Sequence, residues 1–222
     1  PVIAGSRTNS TAKTIRLSRG LAAAGADGLL TVVPYYNRPT QEGLYRHFSA
    51  IADSVSVPVI LYNVPGRTVC DMLPETVVRL SEHPRIVGIK EATGDMSRAE
   101  SILGAARPGF LLLSGDDPTA AELMKRGARG VISVTANVAP RAMHDMCVAA
   151  LEGRHAEAAA LNERLMPLHL AMFVEPNPIP VKWAVARLGL IERGIRLPLT
   201  SLSERLETEM LAAMKATGVR IA

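Results

Sequence analysis

Pro58-Val-Ile-Leu-Tyr62 and, one helix-length further on, Arg85-Ile-Val-Gly-Ile-Lys90 decide the fold. Each is a short apolar run without polar alternation, which is how a strand covered on both faces reads. Runs of the same kind occupy residues 1–5, 28–33, 110–114 and 130–134, so strand candidates begin at 1, 28, 58, 85, 110 and 130. Each interval leaves room for one helix. In the second, Thr40 precedes a stretch in which Leu44, Phe48, Ile51 and Val55 recur at helical spacing. Pro74 opens a helix that Pro84 terminates, and Asp117-Pro118 reads as an N-cap and first helical residue, with Gly127 closing that helix. Repeated strand–helix units without hairpin turns give an α/β fold with a parallel sheet. After about residue 138 the strands stop. Residues 154–172, 178–188 and 201–217 read as helices rich in Ala and Leu, two of them separated by the rigid turn Glu175-Pro-Asn-Pro-Ile-Pro180.

Composition excludes several classes. Of 222 residues, 48% are apolar and 21% charged, unlike a disordered or coiled-coil chain. There is no apolar run of about 18 residues, so no membrane partner is expected. Lys and Arg number 25 against 21 Asp and Glu, a formal charge of +4 spread without a basic block. Nucleic acid is therefore not an expected partner, since phosphate binding calls for clustered cations and aromatic platforms. Cys70 and Cys147 stand apart and the five His are scattered without ligand spacing. These features point to reduced thiols in the cytoplasm and to no metal site.

In a parallel α/β fold the reactive groups lie at the carboxyl ends of strands. Lys90 ends one such strand. Placed at the lip of an apolar strand, its amine is freed as a nucleophile toward carbonyls; the alternative is a solvated lysine paired with Glu91. Tyr62 ends another strand, where a phenol can relay protons or simply pack in the core. Tyr35 and Tyr36 are loop or interface aromatics, and Arg67 is placed to hold a carboxylate or to face solvent. Asp116 and Asp117 could suggest a metal, but Asp117 already has a capping role. There is no GxGxxG or P-loop.

Six stretches, in order, change this picture. They are Pro34-Tyr-Tyr-Asn-Arg-Pro39, Leu61-Tyr-Asn-Val-Pro-Gly-Arg-Thr68, Gly88-Ile-Lys-Glu-Ala-Thr-Gly94, Leu113-Ser-Gly-Asp-Asp117, Gly130-Val-Ile-Ser-Val-Thr-Ala-Asn137 and Phe173-Val-Glu-Pro-Asn-Pro-Ile-Pro-Val-Lys-Trp183. Together they resemble the bacterial dihydrodipicolinate synthase family over essentially the whole chain. The resemblance implies a TIM (β/α)8 barrel, here strands 3 to 8 over residues 1–152, followed by a C-terminal helical region over 153–222. It implies a homotetramer, a dimer of tight dimers, that condenses pyruvate with L-aspartate 4-semialdehyde to 4-hydroxy-tetrahydrodipicolinate in lysine and diaminopimelate biosynthesis. Lys90 matches the Schiff-base lysine, Tyr62 the proton-shuttling tyrosine, and Tyr36 a tyrosine lent to the neighbouring subunit. Arg67 matches the arginine that orients the semialdehyde carboxylate, while Gly115 and Ile132 match backbone positions lining the pyruvate site. No cofactor is implied beyond the covalent pyruvate adduct. The alternatives are an N-acetylneuraminate lyase or related sugar-acid aldolase, against which Arg67 speaks, and a catalytically dead homologue acting as a binding or regulatory subunit.

Two departures from the family pattern stand out. Members carry about two further βα units before the segment matching Pro1, with a Gly-Thr-Thr-Gly-Glu motif absent from these residues. Six strands do not close an eight-strand barrel, so the sequence is expected to be a piece of a longer chain or to be catalytically crippled. Lysine-regulated members also place an acid at the position of Lys13 to hold the ligand's α-amino group; Asn9 and Tyr35, matching other residues of that pocket, are kept. A lysine at 13 repels that amine, so weak or absent lysine inhibition is expected.

Overall fold

A computed structural model describes residues 1–220, which form two compact units: Pro1–Asp116 with Arg126–Ile132, and Asp117–Lys125 with the chain from Ser133 onward. The first unit is built on five parallel strands hydrogen-bonded in chain order: β1 (Ile3–Gly5), β2 (Gly28–Val32), β3 (Val59–Asn63), β4 (Ile86–Glu91) and β5 (Leu111–Ser114). Between them run α1 (Thr11–Ala23), α2 (Gln41–Asp53), α3 (Pro65–Thr68), α4 (Pro74–Ser81) and α5 (Met96–Ala105). Local chemistry sets these boundaries as expected at two helices. Thr40 caps α2 through its hydroxyl, which accepts from the Gly43 amide at 3.1 Å, and Pro74 occupies the first turn of α4.

The pairing register separates two faces of the sheet. Val32, Tyr62, Lys90 and Leu113 occupy one lateral row, and Thr31, Leu61, Ile89 and Leu112 the neighbouring row on the opposite face. Leu29, Leu61, Ile89 and Leu112, on the latter face, are wholly buried, each contributing about 1.5–3 kcal/mol of hydrophobic stabilisation. An extra residue in β4, at the register shift opposite Val59 and Ile60, aligns Tyr62 with Lys90. Next to that shift Gly88 lies so close to β5 that a Cβ there would stand 2.5 Å from the Leu111 carbonyl oxygen.

The sixth expected strand, 130–134, is reduced to a single bridge between Ser114 and Val131. It still exchanges backbone bonds with β5, Gly130 and Ile132 both meeting Ser114 at 2.9 Å. Its extension fails for two reasons. Gly130 has φ +154°, and the Val134 and Thr135 amides are bound by the Asp117 carboxylate at 2.9 and 3.0 Å instead of joining a ladder. That corrects the expected helix cap at Asp117: α6 (Ala120–Lys125) begins three residues later, and only the Asp117 carbonyl serves it. Gly127, with φ +116°, follows α6 as expected.

The second unit holds α6 and the long helices α7 (Pro140–Leu151), α8 (His155–Ala171), α9 (Ile179–Arg187) and α10 (Glu204–Ala216). Leu168, Met172, Val181, Met210 and Met214 centre its core. The helical expectations for 154–172, 178–188 and 201–217 are met within a few residues; 221 and 222 lie outside the described residues. Among the described residues no helix is long and apolar enough to cross a membrane, and no group of three or more His, Cys, Asp or Glu is placed to hold a metal ion.

Two stability outcomes follow. Gly88→Ala lowers unfolding stability by about 1–3 kcal/mol through overpacking against β5, whereas Gly20→Ala, in α1 with open space around it, raises it by about 0.5–1 kcal/mol; urea melts separate the two. His47, buried on α2 with Nδ1 2.9 Å from the Thr11 hydroxyl, has its pKa pushed down to about 4 by burial. The unfolded imidazole binds its proton near pH 6.5, so this contribution is complete above that pH and is lost as pH falls toward 4. Between pH 7 and 4.5 the loss is roughly 2 kcal/mol, and His47→Gln removes that part of the acid sensitivity.

Candidate active site

The chemistry collects at the carboxyl ends of β3, β4 and β5. Tyr62 and Lys90 are lateral partners on adjacent strands, so both side chains leave the same face, and the Lys90 Nζ sits over the Tyr62 ring 4.5 Å from its centroid. Lys90 is buried, 9% exposed, despite ending a strand. Burial raises the Tyr62 pKa, opposed by the positive charges of Arg67 and Arg7. The phenol therefore stays protonated at neutral pH, ready to donate.

Gly115 explains how the lysine stem is accommodated. A Cβ there would lie 2.8 Å from Lys90 Cε and 2.5 Å from Ala92 Cβ, so only glycine lets the chain pass this close. Its amide donates to the Glu91 carbonyl at 2.7 Å, while the Ile132 amide donates to the Ser114 carbonyl. Both positions expected to line a pyruvate site thus lie on backbone joined to β4 or β5.

The alternative in which Lys90 pairs with Glu91 is not what the strand provides. Glu91 follows Lys90 and leaves the opposite face, where it is 2% exposed. Its carboxylate accepts from the Thr93 amide at 2.9 Å, from Asn63 Nδ2 at 3.2 Å and from Arg98 Nε at 3.2 Å. Arg98 reaches on with Nη2 to Asp71 at 2.5 Å and to the Met72 carbonyl at 2.7 Å. Asn63, the residue after Tyr62, closes the cluster: its amide donates to Asp71 at 3.0 Å and its carbonyl accepts from the Met72 amide at 3.1 Å. None of Asn63, Asp71 or Arg98 stood out in the sequence. The available signal was alternation, since the residue after each reactive side chain in β3 and β4 is polar and must face away from it.

The other expected residues lie further out. Arg67 is exposed on α3, near enough for its charge to act on Tyr62. Arg7, two residues beyond β1, acts on the same phenol and was not anticipated. Tyr36 is 88% exposed at φ +73°, so it does not pack beside Lys90 of its own chain. Tyr35 is exposed in the same loop, which Asn37 ties to the Asn9 carbonyl at 2.9 Å. Lys13 is exposed near the start of α1.

This arrangement was compared with known proteins. A family model described as the dihydrodipicolinate synthetase family matches residues 1–217. A 4-hydroxy-tetrahydrodipicolinate synthase of Stutzerimonas stutzeri is 60% identical over 219 residues, 99% of this chain and 75% of the relative. The crystal structure of a chloride-inhibited dihydrodipicolinate synthase from Acinetobacter baumannii, complexed with pyruvate, superposes with TM-score 0.97 at 51% identity, covering 99% of this chain and 76% of that one. A dihydrodipicolinate synthase from Cyanidioschyzon merolae with lysine bound matches at TM-score 0.95 and 40% identity, over 99% and 74%. The strand order, the lysine–tyrosine pair and a match running through nearly every described element agree on one assignment: the chain belongs to the dihydrodipicolinate synthetase family, whose fold is the TIM barrel.

Proposed function

We propose that these residues catalyse the condensation of pyruvate with L-aspartate 4-semialdehyde to 4-hydroxy-tetrahydrodipicolinate, in lysine and diaminopimelate biosynthesis, with Lys90 as the Schiff-base nucleophile. The observation that carries the reading is the buried Lys90 amine over the Tyr62 ring, at the carboxyl end of a parallel sheet. Lys90 attacks the pyruvate ketone, and loss of water leaves a protonated imine that acts as the electron sink. Removal of a methyl proton gives an enamine, whose carbon forms the new bond to the aldehyde carbon. The semialdehyde's own amine then displaces Lys90 by transimination and closes the ring. Every step moves a proton, which is the part given to Tyr62, held protonated by burial.

Arg67 receives the semialdehyde carboxylate, and the Gly115 and Ile132 backbone walls the pyruvate end. A polyhydroxylated aldehyde, which has no carboxylate, has no comparable use for Arg67, and relatives at 60% identity carry the synthase name, which favours this substrate over the aldolase alternative. Tyr36 completes the proton relay of a second copy; its exposure on the loop after β2 supports a homo-oligomer, taken as a tetramer of two tight dimers. The barrel units span 1–152 and the C-terminal helical region 153–222. The enzyme works in the cytoplasm, in keeping with two cysteines that form no disulfide with one another.

Borohydride reduction with pyruvate, followed by peptide mapping, yields a reduced adduct on Lys90 and none in Lys90→Ala; an unlabelled Lys90 overturns the reading. Tyr62→Phe keeps the adduct but lowers turnover about 10²–10⁴-fold. Lys13, Asn9 and Tyr35 form a regulatory pocket whose charge is reversed at its amine-binding corner. L-lysine therefore inhibits weakly, and Lys13→Glu lowers the half-inhibiting concentration about tenfold or more, read in steady-state assays. Strong inhibition of the unmodified enzyme overturns that assignment.

A further inference from the structure

The buried polar cluster on the far side of the sheet from the reaction has no part in the chemistry just described. It joins three pieces of chain: the end of β3 through Asn63, the end of β4 through Glu91, and the segment after α3 through Asp71 and Met72. Arg98, in the first turn of α5, bonds to two of these pieces through a charged fork, to Glu91 on one side and to Asp71 and the Met72 carbonyl on the other. Asp95 fixes that turn by accepting from the Ser97 and Arg98 amides at 2.9 and 3.2 Å. The guanidinium is largely enclosed, 11% exposed, and the Glu91 carboxylate 2%, so water does not replace the bond between them when it is lost, whereas Asp71, 38% exposed, holds the solvent side of the fork.

We propose that Arg98, acting through Glu91 and Asp71, is a positioning residue that sets the alignment of Tyr62 with Lys90 and the placement of the segment carrying Arg67. The proposal rests on the functional reading above and deepens it. Asn63 directly follows Tyr62 and Glu91 directly follows Lys90, and the two are lateral partners. Holding their side chains together on one face fixes the two backbones from which the reactive side chains leave the other. The same fork pulls Asp71 and Met72 against the sheet, so the stretch from Val64 to Met72, with Arg67 inside it, is held at its far end. A planar guanidinium spans two carboxylates and a carbonyl; an ammonium supplies the charge but not the fork.

The test compares Arg98→Lys and Arg98→Met with the parent in the intact protein, reading thermal stability, pyruvate labelling of Lys90 by borohydride, and kcat and KM for each substrate. In folded Arg98→Lys, kcat falls about 10- to 100-fold, the cost of misplacing reacting groups by about 1 Å. KM for the semialdehyde rises as Arg67 loses its anchor, and KM for pyruvate changes less than about threefold. If Arg98→Met does not fold, Asp71→Asn takes its place, with a smaller drop in kcat and the same rise in semialdehyde KM. Folded variants that differ from the parent only in melting temperature, with kcat and both KM values unchanged, overturn the positioning role and leave the functional reading standing. A parent enzyme that takes no pyruvate adduct on Lys90 overturns both.

Discussion

The alternation of side chains along β4 is the constraint on which the site depends. Lys90 and Glu91 are consecutive, so pleating sends them to opposite faces, one toward Tyr62 and the other into a closed polar cluster. Had they shared a face, the carboxylate would lie beside the amine and favour its charged, non-nucleophilic form. Separation places the acid where Arg98 and Asn63 satisfy it, and leaves the amine over the Tyr62 ring. β3 repeats the arrangement, with Tyr62 toward the site and Asn63 behind. Two adjacent strands thus present chemistry on one side and cross-linking on the other.

Close approach is the second requirement, and two glycines meet it in different ways. Gly88 lets β4 pack on β5 at the register shift, without which Tyr62 and Lys90 would not be lateral partners. Gly115 leaves room for the lysine stem itself. Neither has a positive φ, so what is required is the missing Cβ and not left-handed backbone. A methyl group at Gly88 acts on strand packing; one at Gly115 acts directly on the nucleophile.

Much of this is legible in the sequence alone. Continuous apolar runs located five strands; in β2, β3 and β4 the cause is burial on both faces, whereas the run holding β1, expected to be covered in the same way, leaves Val2 and Ile3 64% and 49% exposed. Tyr62, Lys90 and Gly115 lie at the carboxyl ends of β3, β4 and β5, while Arg67 stands further out on α3. Asp117 misled, since its residue type suits a helix cap but its carboxylate bonds to amides far along the chain, which local spacing does not encode. The sixth strand shortened in part for the same reason. Alternation turns Asn63 and Glu91 away from Tyr62 and Lys90, but their joining by Arg98 and Asp71 is not legible in the sequence, because the four come from separate stretches.

The electrostatics of the site bear on how it can work without further groups. Two cations, Arg67 and Arg7, act on the Tyr62 phenol and favour its ionised form, while burial opposes them and prevails. Donation is thereby the resting state, and the opposing charges lower the cost of the phenolate when the proton is lent. A shuttle needs this balance: a phenol held far above its ordinary pKa donates poorly, and one already ionised has nothing to give. Arg67 serves twice under this view, once for the incoming carboxylate and once for the phenol. On the proposed reading a bound carboxylate partly cancels the Arg67 charge, and Arg7 remains to lower the cost of the phenolate when the proton is lent.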